Sequence, residues 1–250
     1  MIFFQTIAVA FSMFSALPMP QFAWNDRNMR YAMCAFPLVG AVSGVLWGVC
    51  AALPLPHLVR SAGFTLIPVL VTGGIHLDGY ADTCDALSSY GDREKKLSIL
   101  SDPHCGAFAV IRLCTYFVAY FAVAASIAVS PHISVLVLLA FVLERSLSGF
   151  AVAAFPIAKD SGLAHTFASA ADRKTVKLTL LFLSIALSAG MIYLGGWFIA
   201  ATAWVVLGWY HHVSKKQFGG ITGDLAGWFL QKSEFWMLAA LAAGQWGGLI

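Results

Sequence analysis

Charged residues are scarce in this chain. Only 11% of its 250 residues are Asp, Glu, Lys or Arg, whereas 60% are apolar. Soluble globular domains carry about 25% charged residues, so the composition argues against a soluble domain and indicates a membrane protein. The formal net charge is only +3, and no basic run contains interleaved aromatic residues. We therefore expect no nucleic acid partner.

Cysteine motifs are also missing. The five cysteines form no C-x-x-C pair and no Cys/His zinc spacing, so we expect reduced thiols that mostly serve packing. Residues 1–17 lack a basic start and are followed by Pro18 and Pro20 rather than by a cleavage site. This pattern indicates a retained segment and not a signal peptide.

Long apolar runs predict about seven membrane crossings, since one crossing needs about 20 residues. Residues 2–17 are short for a crossing and would cross thinly or lie in the interface. In the first long run, Gly40, Gly44 and Gly48 recur every four residues, which favours close helix packing. The expected fold class is an all-α polytopic membrane protein that crosses at 31–53, 61–78, 106–129, 133–155, 176–194, 197–213 and 235–250.

Basic residues alternate between successive connections of this layout. The first, third, fifth and seventh connections contain clusters of Lys and Arg, the second contains only Arg60, and the fourth and sixth contain none. Basic connections are typically cytoplasmic. The alternation therefore predicts that 78–102, 157–175 and 214–233 are cytoplasmic.

Acidic residues concentrate in one stretch, where half of the twelve lie between Asp78 and Asp102. On a helix, Asp78, Asp82 and Asp85 lie within about 60° of one another. Three carboxylates that share a face repel each other unless a cation joins them. Ligands that are all oxygen suit Mg²⁺, Mn²⁺ or Ca²⁺ rather than zinc. The stretch predicts a metal site for a phosphate-bearing substrate.

A solvated acidic helix end is the alternative interpretation, because carboxylates are ordinary near helix N-termini. Acidic residues at the edge of an apolar segment are costly and usually functional, which favours a site. Gly74 and Gly79 beside the aspartates leave room for a bulky ligand. His76 lies nearly opposite the aspartates on a helix, which favours packing or an indirect role over metal binding.

Three further features accompany this stretch. Asp102 is expected to cap a helix that has Pro103 at its first position, and such an N-terminus also attracts phosphate. The glycine-rich segment 219–227 contains Asp224, which would complete a metal site or orient a hydroxyl group. Glu144 and Arg145 interrupt an apolar helix, where they either pair with each other or face a polar cavity.

These residues resemble a known family. The stretch 76–85, His-Leu-Asp-Gly-Tyr-Ala-Asp-Thr-Cys-Asp, resembles the HLDGLADTxDG signature of the cobalamin (5′-phosphate) synthases, also called adenosylcobinamide-GDP ribazoletransferases. The resemblance covers the whole chain in order, and its first motif is specific. Further segments similar to the family's motifs are 14–20 (a first helix ending in L-P-x-P), 100–108 (K-D-[SP]-[RH]-x-G-A-F), 156–167 (P-x-A-R-x-x-G-L-G-x-x-F) and 219–227 (GGxTGDxxG).

The chain departs from the family pattern at three places. Ala86 replaces a common glycine, Lys159 and Asp160 replace an Arg-Glu or Arg-x-Glu pairing, and His104 replaces the commoner arginine. These changes bear on substrate detail more than on the reaction. Lysine at 159 matters most, because it does not grip phosphate bidentately.

The resemblance implies a single transmembrane transferase domain over residues 1–250, in a prokaryotic cell membrane, with its catalytic loops in the cytoplasm. Its reaction would be the last assembly step of vitamin B12. Adenosylcobinamide-GDP and α-ribazole, or its 5′-phosphate, would give adenosylcobalamin, or its 5′-phosphate, and GMP. Mg²⁺ is the expected cofactor, with Mn²⁺ as a substitute. The expected partners are these substrates and the lipid bilayer, and a homo-oligomer is compatible with the sequence.

The resemblance also assigns roles to individual residues. The catalytic residues would be Asp78, Asp82, Asp85, Asp102 and Asp224, of which the first four would bind metal. The substrate-binding residues would be Gly74, His76, Gly79, His104, Gly106, Arg145, Lys159, Gly220, Thr222 and Gly223, with Lys159 or Arg145 contacting phosphate.

Two rival functions remain open. CDP-alcohol phosphotransferases make a similar displacement with aspartates that follow a transmembrane helix, but their motif needs an arginine that this chain lacks at that spacing. An ion-coupled transporter would use intramembrane acids and broken helices in both halves of the chain. Here the acids gather at one face, and no inverted repeat is evident.

Overall fold

The computed structural model describes residues 2–159 and 161–250, so that Met1 and Asp160 lie outside the described residues. Within them, backbone pairs as in a strand only at one parallel bridge, between Ile157 and Ile221. The predicted all-α class is confirmed. The helices are α1 (Ile2–Phe14), α2 (Asp26–Met29), α3 (Ala32–Ala52), α4 (His57–Thr72), α5 (Ile75–Ser88), α6 (Arg93–Ile99), α7 (Ala107–Ser126), α8 (Pro131–Ala154), α9 (Leu163–Ala170), α10 (Arg173–Tyr193), α11 (Trp197–Val213) and α12 (Gly223–Trp246), with a π-helical turn at Ser214–Phe218.

Fewer helices than expected have both the length and the apolar composition of a membrane span. By length and apolar composition, the described residues contain four helices that suit a bilayer, α3, α7, α8 and α10, or five if the bent pair α4 and α5 counts as one span. Seven crossings were predicted. Helix α11 has only 17 residues. The predicted crossing at 235–250 corresponds to the second half of α12. The first half of this helix contains charged residues, among them Asp224 and Lys232, which lower its hydropathy.

The predicted crossing at 61–78 is broken at two glycines. Helix α4 ends before Gly73 and Gly74, whose φ angles of 64° and 82° lie in the left-handed region that glycine adopts without steric cost. Helix α5 then leaves at 95° to α4. The amide of Ala16 donates to the carbonyl of Val71 at 2.8 Å, which fixes the segment after α1 against this turn. The three aspartates therefore lie on a separate helix.

The glycine stripe of α3 packs against α8, as its spacing predicts. A Cβ atom on Gly44 would lie 2.6 Å from the Cα atom of Leu138, and one on Gly40 would overlap the carbonyl of Phe141. Only glycine allows this backbone approach. Trp47, on the same helix, stacks on Phe64 of α4 with ring centroids 3.8 Å apart.

The connections meet at two ends of the helix bundle. One end, which we call the site end, is held together by pairs that join distant connections: Arg30 with Asp172, Lys96 with Gln217, Lys159 with Ser101, and the bridge of Ile157 with Ile221. The opposite end is joined by His57 to the carbonyl of Ala125, His132 to the carbonyl of Leu194, and Gln245 to Ala128. The connections that meet at the site end are the ones that contain the basic clusters of the sequence.

Candidate active site

Helix α5 exposes its aspartates and buries its other face. Asp78 is exposed and Asp82 and Asp85 are half-buried, whereas most of the residues between them are buried. The spacing of four and three residues puts the carboxylates on one face. The predicted aspartate face is thus the accessible side of a helix that is otherwise packed.

Close backbone packing brings α12 to this face. A Cβ atom on Gly79 would lie 2.8 Å from the Cα atom of Asp224, and one on Gly227 would lie 2.8 Å from the carbonyl oxygen of His76. Asp224, in the first turn of α12, therefore lies directly beside α5. Its charge acts on both Asp78 and Asp82, so carboxylates distant in sequence share one electrostatic environment.

A cavity of about 450 Å³ opens beside Asp78 and Asp224. One part of its wall is aromatic and includes Phe14, Phe36 and Phe167. The polar part includes the two aspartates, Lys159 and Ser101, with the Lys159 Nζ atom donating to the Ser101 Oγ atom at 2.6 Å. The N-termini of α9 and α12, at Gly162–Leu163 and Thr222–Gly223, also line it, and helix N-termini favour anions.

A second cavity of about 690 Å³ lies on the other side of Asp78. Asp78, Asp82 and Asp102 line it together with Gly74. Among the described residues, only Ile75 and Asp78 contribute to the walls of both cavities, and of these two only Asp78 is charged. Asp78 is therefore the carboxylate where contents of the two cavities would meet.

Asp102 does not cap a helix, contrary to the prediction. Helix α7 begins only at Ala107, with Gly106 as its N-cap. Asp102 instead accepts a hydrogen bond from the backbone N–H of His104 at 2.9 Å, and its carboxylate lies 2.7 Å from the Nδ1 atom of that ring. These two contacts hold the pKa of Asp102 below its usual range. The carboxylate therefore stays charged at the edge of the second cavity.

Asp85 lies apart from the other aspartates of its helix. It lines neither cavity, and its carboxylate packs directly against the Cα atom of Gly106. Gly106 precedes the first turn of α7, where a negative charge is stabilised by the helix dipole. This contact explains why glycine stands at position 106.

Arg145 is not at the cavity where phosphate contact was predicted. Its side chain is 1% exposed and pairs with Glu144 inside the bundle. Glu144 lies beside Glu234, which accepts a hydrogen bond from the Tyr120 hydroxyl at 2.9 Å. Glu144 and Arg145 therefore pair with each other, which the sequence allowed as one of two alternatives. Through Glu234 and Tyr120, this buried polar group connects α8 with α12 and α7.

The remaining predicted residues surround the site. His76 is 5% exposed, contributes to the wall of the first cavity, and has a buried Nδ1 atom without a protein partner. Thr222 caps α12 by accepting from the Leu225 amide at 3.2 Å, and its hydroxyl donates to Asp224 at 3.3 Å. A Cβ atom on Gly220 would lie 2.7 Å from the amide nitrogen of Ala158, so Gly220 serves the backbone bridge.

The carboxylates of the site can be compared with the ligands that a divalent cation needs. Among the described residues, no three His, Cys, Asp or Glu side chains converge closely enough to hold a metal ion by themselves. Mg²⁺ commonly uses one or two carboxylates and completes its shell with water and substrate phosphates. Asp78, with Asp82 or Asp224, fits that requirement, because these carboxylates face open cavity space and act on one another.

Sequence reasoning missed the aromatic wall of the first cavity. Phe14 lies in a segment that the motif comparison includes, but nothing distinguishes Phe36 or Phe167 from other apolar residues of a membrane protein. Their convergence depends on the packing of α1, α3 and α9. Ring centroids of Phe14 lie 4.5 Å from Phe36 and 5.2 Å from Phe167.

Comparison with known proteins identifies the family of this chain. The sequence profile of the family described as cobalamin-5-phosphate synthase matches residues 6–242. The chain belongs to this family. Its relatives include a protein of Lachnoclostridium phytofermentans that is 40% identical over 241 residues, covering 94% of this chain and 91% of the relative.

This relative and two others are named adenosylcobinamide-GDP ribazoletransferase. The relative from Clostridium perfringens strain SM101 is 31% identical, and the match covers 94% of this chain and 96% of the relative. The one from Pseudomonas syringae is 35% identical and covers 87% and 90%. No solved structure matches this chain.

Proposed function

We propose that this protein joins adenosylcobinamide-GDP to α-ribazole, or to its 5′-phosphate, with release of GMP. Family membership supports the reaction. The structural observation that carries the proposal is Asp78, which lines two cavities at once. A transferase that joins two large substrates needs two compartments that meet at charged groups.

The first cavity suits ribazole. Its volume of about 450 Å³ falls in the range of small-molecule pockets. The flat lower base would lie against the aromatic wall, and the ribose would lie at the polar part. A carboxylate there, either Asp224 or Asp78, would accept the proton of the ribose hydroxyl. Lys159 and the N-termini of α9 and α12 would hold a 5′-phosphate when it is present.

The second cavity would admit the diphosphate of adenosylcobinamide-GDP from the other side of Asp78. The ribose oxygen would form a bond to the phosphorus nearest the corrinoid. The bond from that phosphorus to the bridging oxygen would break, and its electron pair would leave with GMP. Asp78, with Asp82 or Asp224, would hold Mg²⁺, and the bound ion would supply neutralisation of the charge that develops as GMP leaves.

The site end is proposed to face the cytoplasm. The exposed Lys and Arg residues near helix ends lie at that end, whereas the opposite end has the half-buried Arg60 of α4. Basic residues are retained on the cytoplasmic side during insertion. In this orientation the substrates would enter from the cytoplasm and GMP would be released into it.

The proposal is tested by measuring GMP release by the purified protein in detergent. Adenosylcobinamide-GDP with α-ribazole should give GMP and a cobalamin product in equal amounts, and a chelator should stop the reaction until Mg²⁺ is restored. The experiment should be repeated with α-ribazole 5′-phosphate. If neither acceptor releases GMP while the folded protein accumulates ions or substrate in vesicles, the transporter interpretation replaces this one.

A further inference from the structure

Lys232 occupies an aromatic cage away from the proposed site. It lies on α12 and is half-buried. Its Nζ atom is 5.5 Å from the ring centroid of Tyr80, 5.6 Å from that of Trp209 and 5.9 Å from that of Trp228. Among the described residues, no acidic side chain lies within salt-bridge distance of Lys232. The rings stabilise the cation, but they leave its charge uncompensated.

A second cation lies beside this cage. Arg112 on α7 is exposed and lies one helical turn before Tyr116, whose ring centroid is 5.1 Å from that of Tyr80 in the cage. Its charge acts on Lys232 and on Tyr80. It too forms no salt bridge with the described residues. Two like charges at the edge of a membrane protein repel each other. An anion between them would remove that repulsion.

An apolar groove of about 400 Å³ begins at the same cage. Trp209 belongs to both, and Trp236 in the groove wall lies one helical turn after Lys232 on the same face of α12. The groove faces outward, since Val205 in its wall is 71% exposed. The remaining wall residues are Ala201, Thr202 and Val206. The surface therefore pairs uncompensated positive charge with an apolar channel along α11 and α12.

We propose that this surface binds an anionic phospholipid, with its phosphate at Lys232 and Arg112 and an acyl chain in the groove. Lysine side chains reach toward the headgroup level from within a span, and tryptophans concentrate there. A free phosphate would meet the same cations but would leave the groove empty. A second copy of the chain would cover the groove without supplying an anion to the two cations. The charge and the groove together favour a lipid.

The experiment measures lipid binding by native mass spectrometry of the full chain in detergent, titrated with phosphatidylglycerol or with phosphatidylcholine. The wild-type protein should prefer phosphatidylglycerol by about fivefold or more per cation engaged. Lys232→Gln should remove that preference, and Lys216→Gln, which changes an exposed lysine of the π-helical turn outside the cage, should keep it. Val205→Trp, which fills the groove, should weaken binding of the lipid, whereas Val118→Trp on the outer face of α7, where Val118 is 72% exposed, should not.

Several outcomes would overturn the proposal. One is unchanged phosphatidylglycerol preference in Lys232→Gln. Another is displacement of the lipid by glycerol phosphate at equal concentration, which would identify a headgroup site without a chain. A third is a dimer that Val205→Trp dissociates while lipid binding stays the same. If Lys232→Gln does not fold, Val205→Trp still decides, because its side chain points away from the core.

Discussion

Asp78, Asp82 and Asp224 are the acidic residues of the proposed site. Each is an ordinary carboxylate, and each gains its character from where α5 and α12 place it. Asp78 lines both cavities, Asp82 lines the second, and Asp224 lines the first. The resulting set of charges requires a cation or a proton to be stable. Substitutions that keep shape and remove charge are therefore the informative ones.

Asp82→Asn tests the electrostatic role directly. It keeps the side-chain volume and removes one charge from the group that acts on Asp78 and Asp224. We expect GMP release to fall about 100-fold or more, because such a group stabilises charge that develops in the transition state. The measurement is turnover at low millimolar Mg²⁺, normalised to folded protein. Asp26→Asn, which changes an exposed carboxylate outside the site, should turn over normally, and near-normal turnover in Asp82→Asn would exclude the metal role.

The pair Asp78 and Asp224 tests whether the two helices build one site. Groups that act as a unit give losses that do not add. We expect Asp78→Asn with Asp224→Asn to be scarcely slower than the more damaging single variant. Rates of GMP release for both singles and the double are compared. Losses that add in the logarithm of rate would mean that Asp224 serves a separate step, such as holding ribazole.

At the residue scale, the sequence drew attention to acidic residues that the structure places near one another, and their roles stay predictions. Asp78, Asp82 and Asp224 were recognisable because acids are rare in this chain. Arg145 was misassigned, because a cation in an apolar helix looks the same whether it faces a cavity or a buried Glu144. The prediction that Asp102 caps a helix was wrong, because its carboxylate accepts from the His104 amide in a loop that precedes α7. The contacts of Arg145 and Asp102 depend on the directions of their side chains, which residue spacing in the sequence does not predict.

At the scale of elements, the turn at Gly73–Gly74 decides where the aspartates lie. Hydropathy continues across it, so a single crossing was predicted at 61–78. Two left-handed glycines break that helix instead. The sequence contained the signal, since adjacent glycines at the end of an apolar run favour a break. It contained no signal for the angle of 95°, which depends on the packing of α5 against α12.

Gly79→Ala tests the contact between these two helices. The added methyl would press on the backbone of Asp224 at 2.8 Å, and overpacking of this kind costs about 1–3 kcal/mol. We expect a lower midpoint of thermal unfolding in detergent. We also expect about 100-fold slower GMP release, because small displacements of reacting groups have large effects.

The control for this variant is Gly190→Ala. Gly190 lies in helix α10, and a Cβ atom there meets no atom within 4 Å. Because alanine favours helix more than glycine does, the midpoint should stay the same or rise, with normal turnover. Equal behaviour of the two variants would show that α5 and α12 tolerate separation.

On the scale of the whole molecule, the alternation of charge anticipated which connections meet. The contacts between Arg30 and Asp172 and between Lys96 and Gln217 lie at the end that the basic clusters indicated. The count of seven crossings was less successful, because short or polar helices such as α11 and α12 resist assignment by hydropathy. Charge asymmetry is a property of the finished topology, whereas the length of each helix also depends on its neighbours.

The orientation itself is a prediction that cysteine labelling decides. In a chain with Cys105 and Cys114 changed to alanine, since both are exposed, Tyr90→Cys reports on the site end and Tyr193→Cys on the opposite end. Both tyrosines are highly exposed, at 107% and 91%, so the substitutions should not disturb packing. An impermeant maleimide added to intact cells should label Tyr193→Cys alone, and it should label Tyr90→Cys only after the cells are opened. Labelling of Tyr90→Cys in intact cells would invert the topology and place the aspartates outside. The proposed reaction would then lack access to its cytoplasmic substrates.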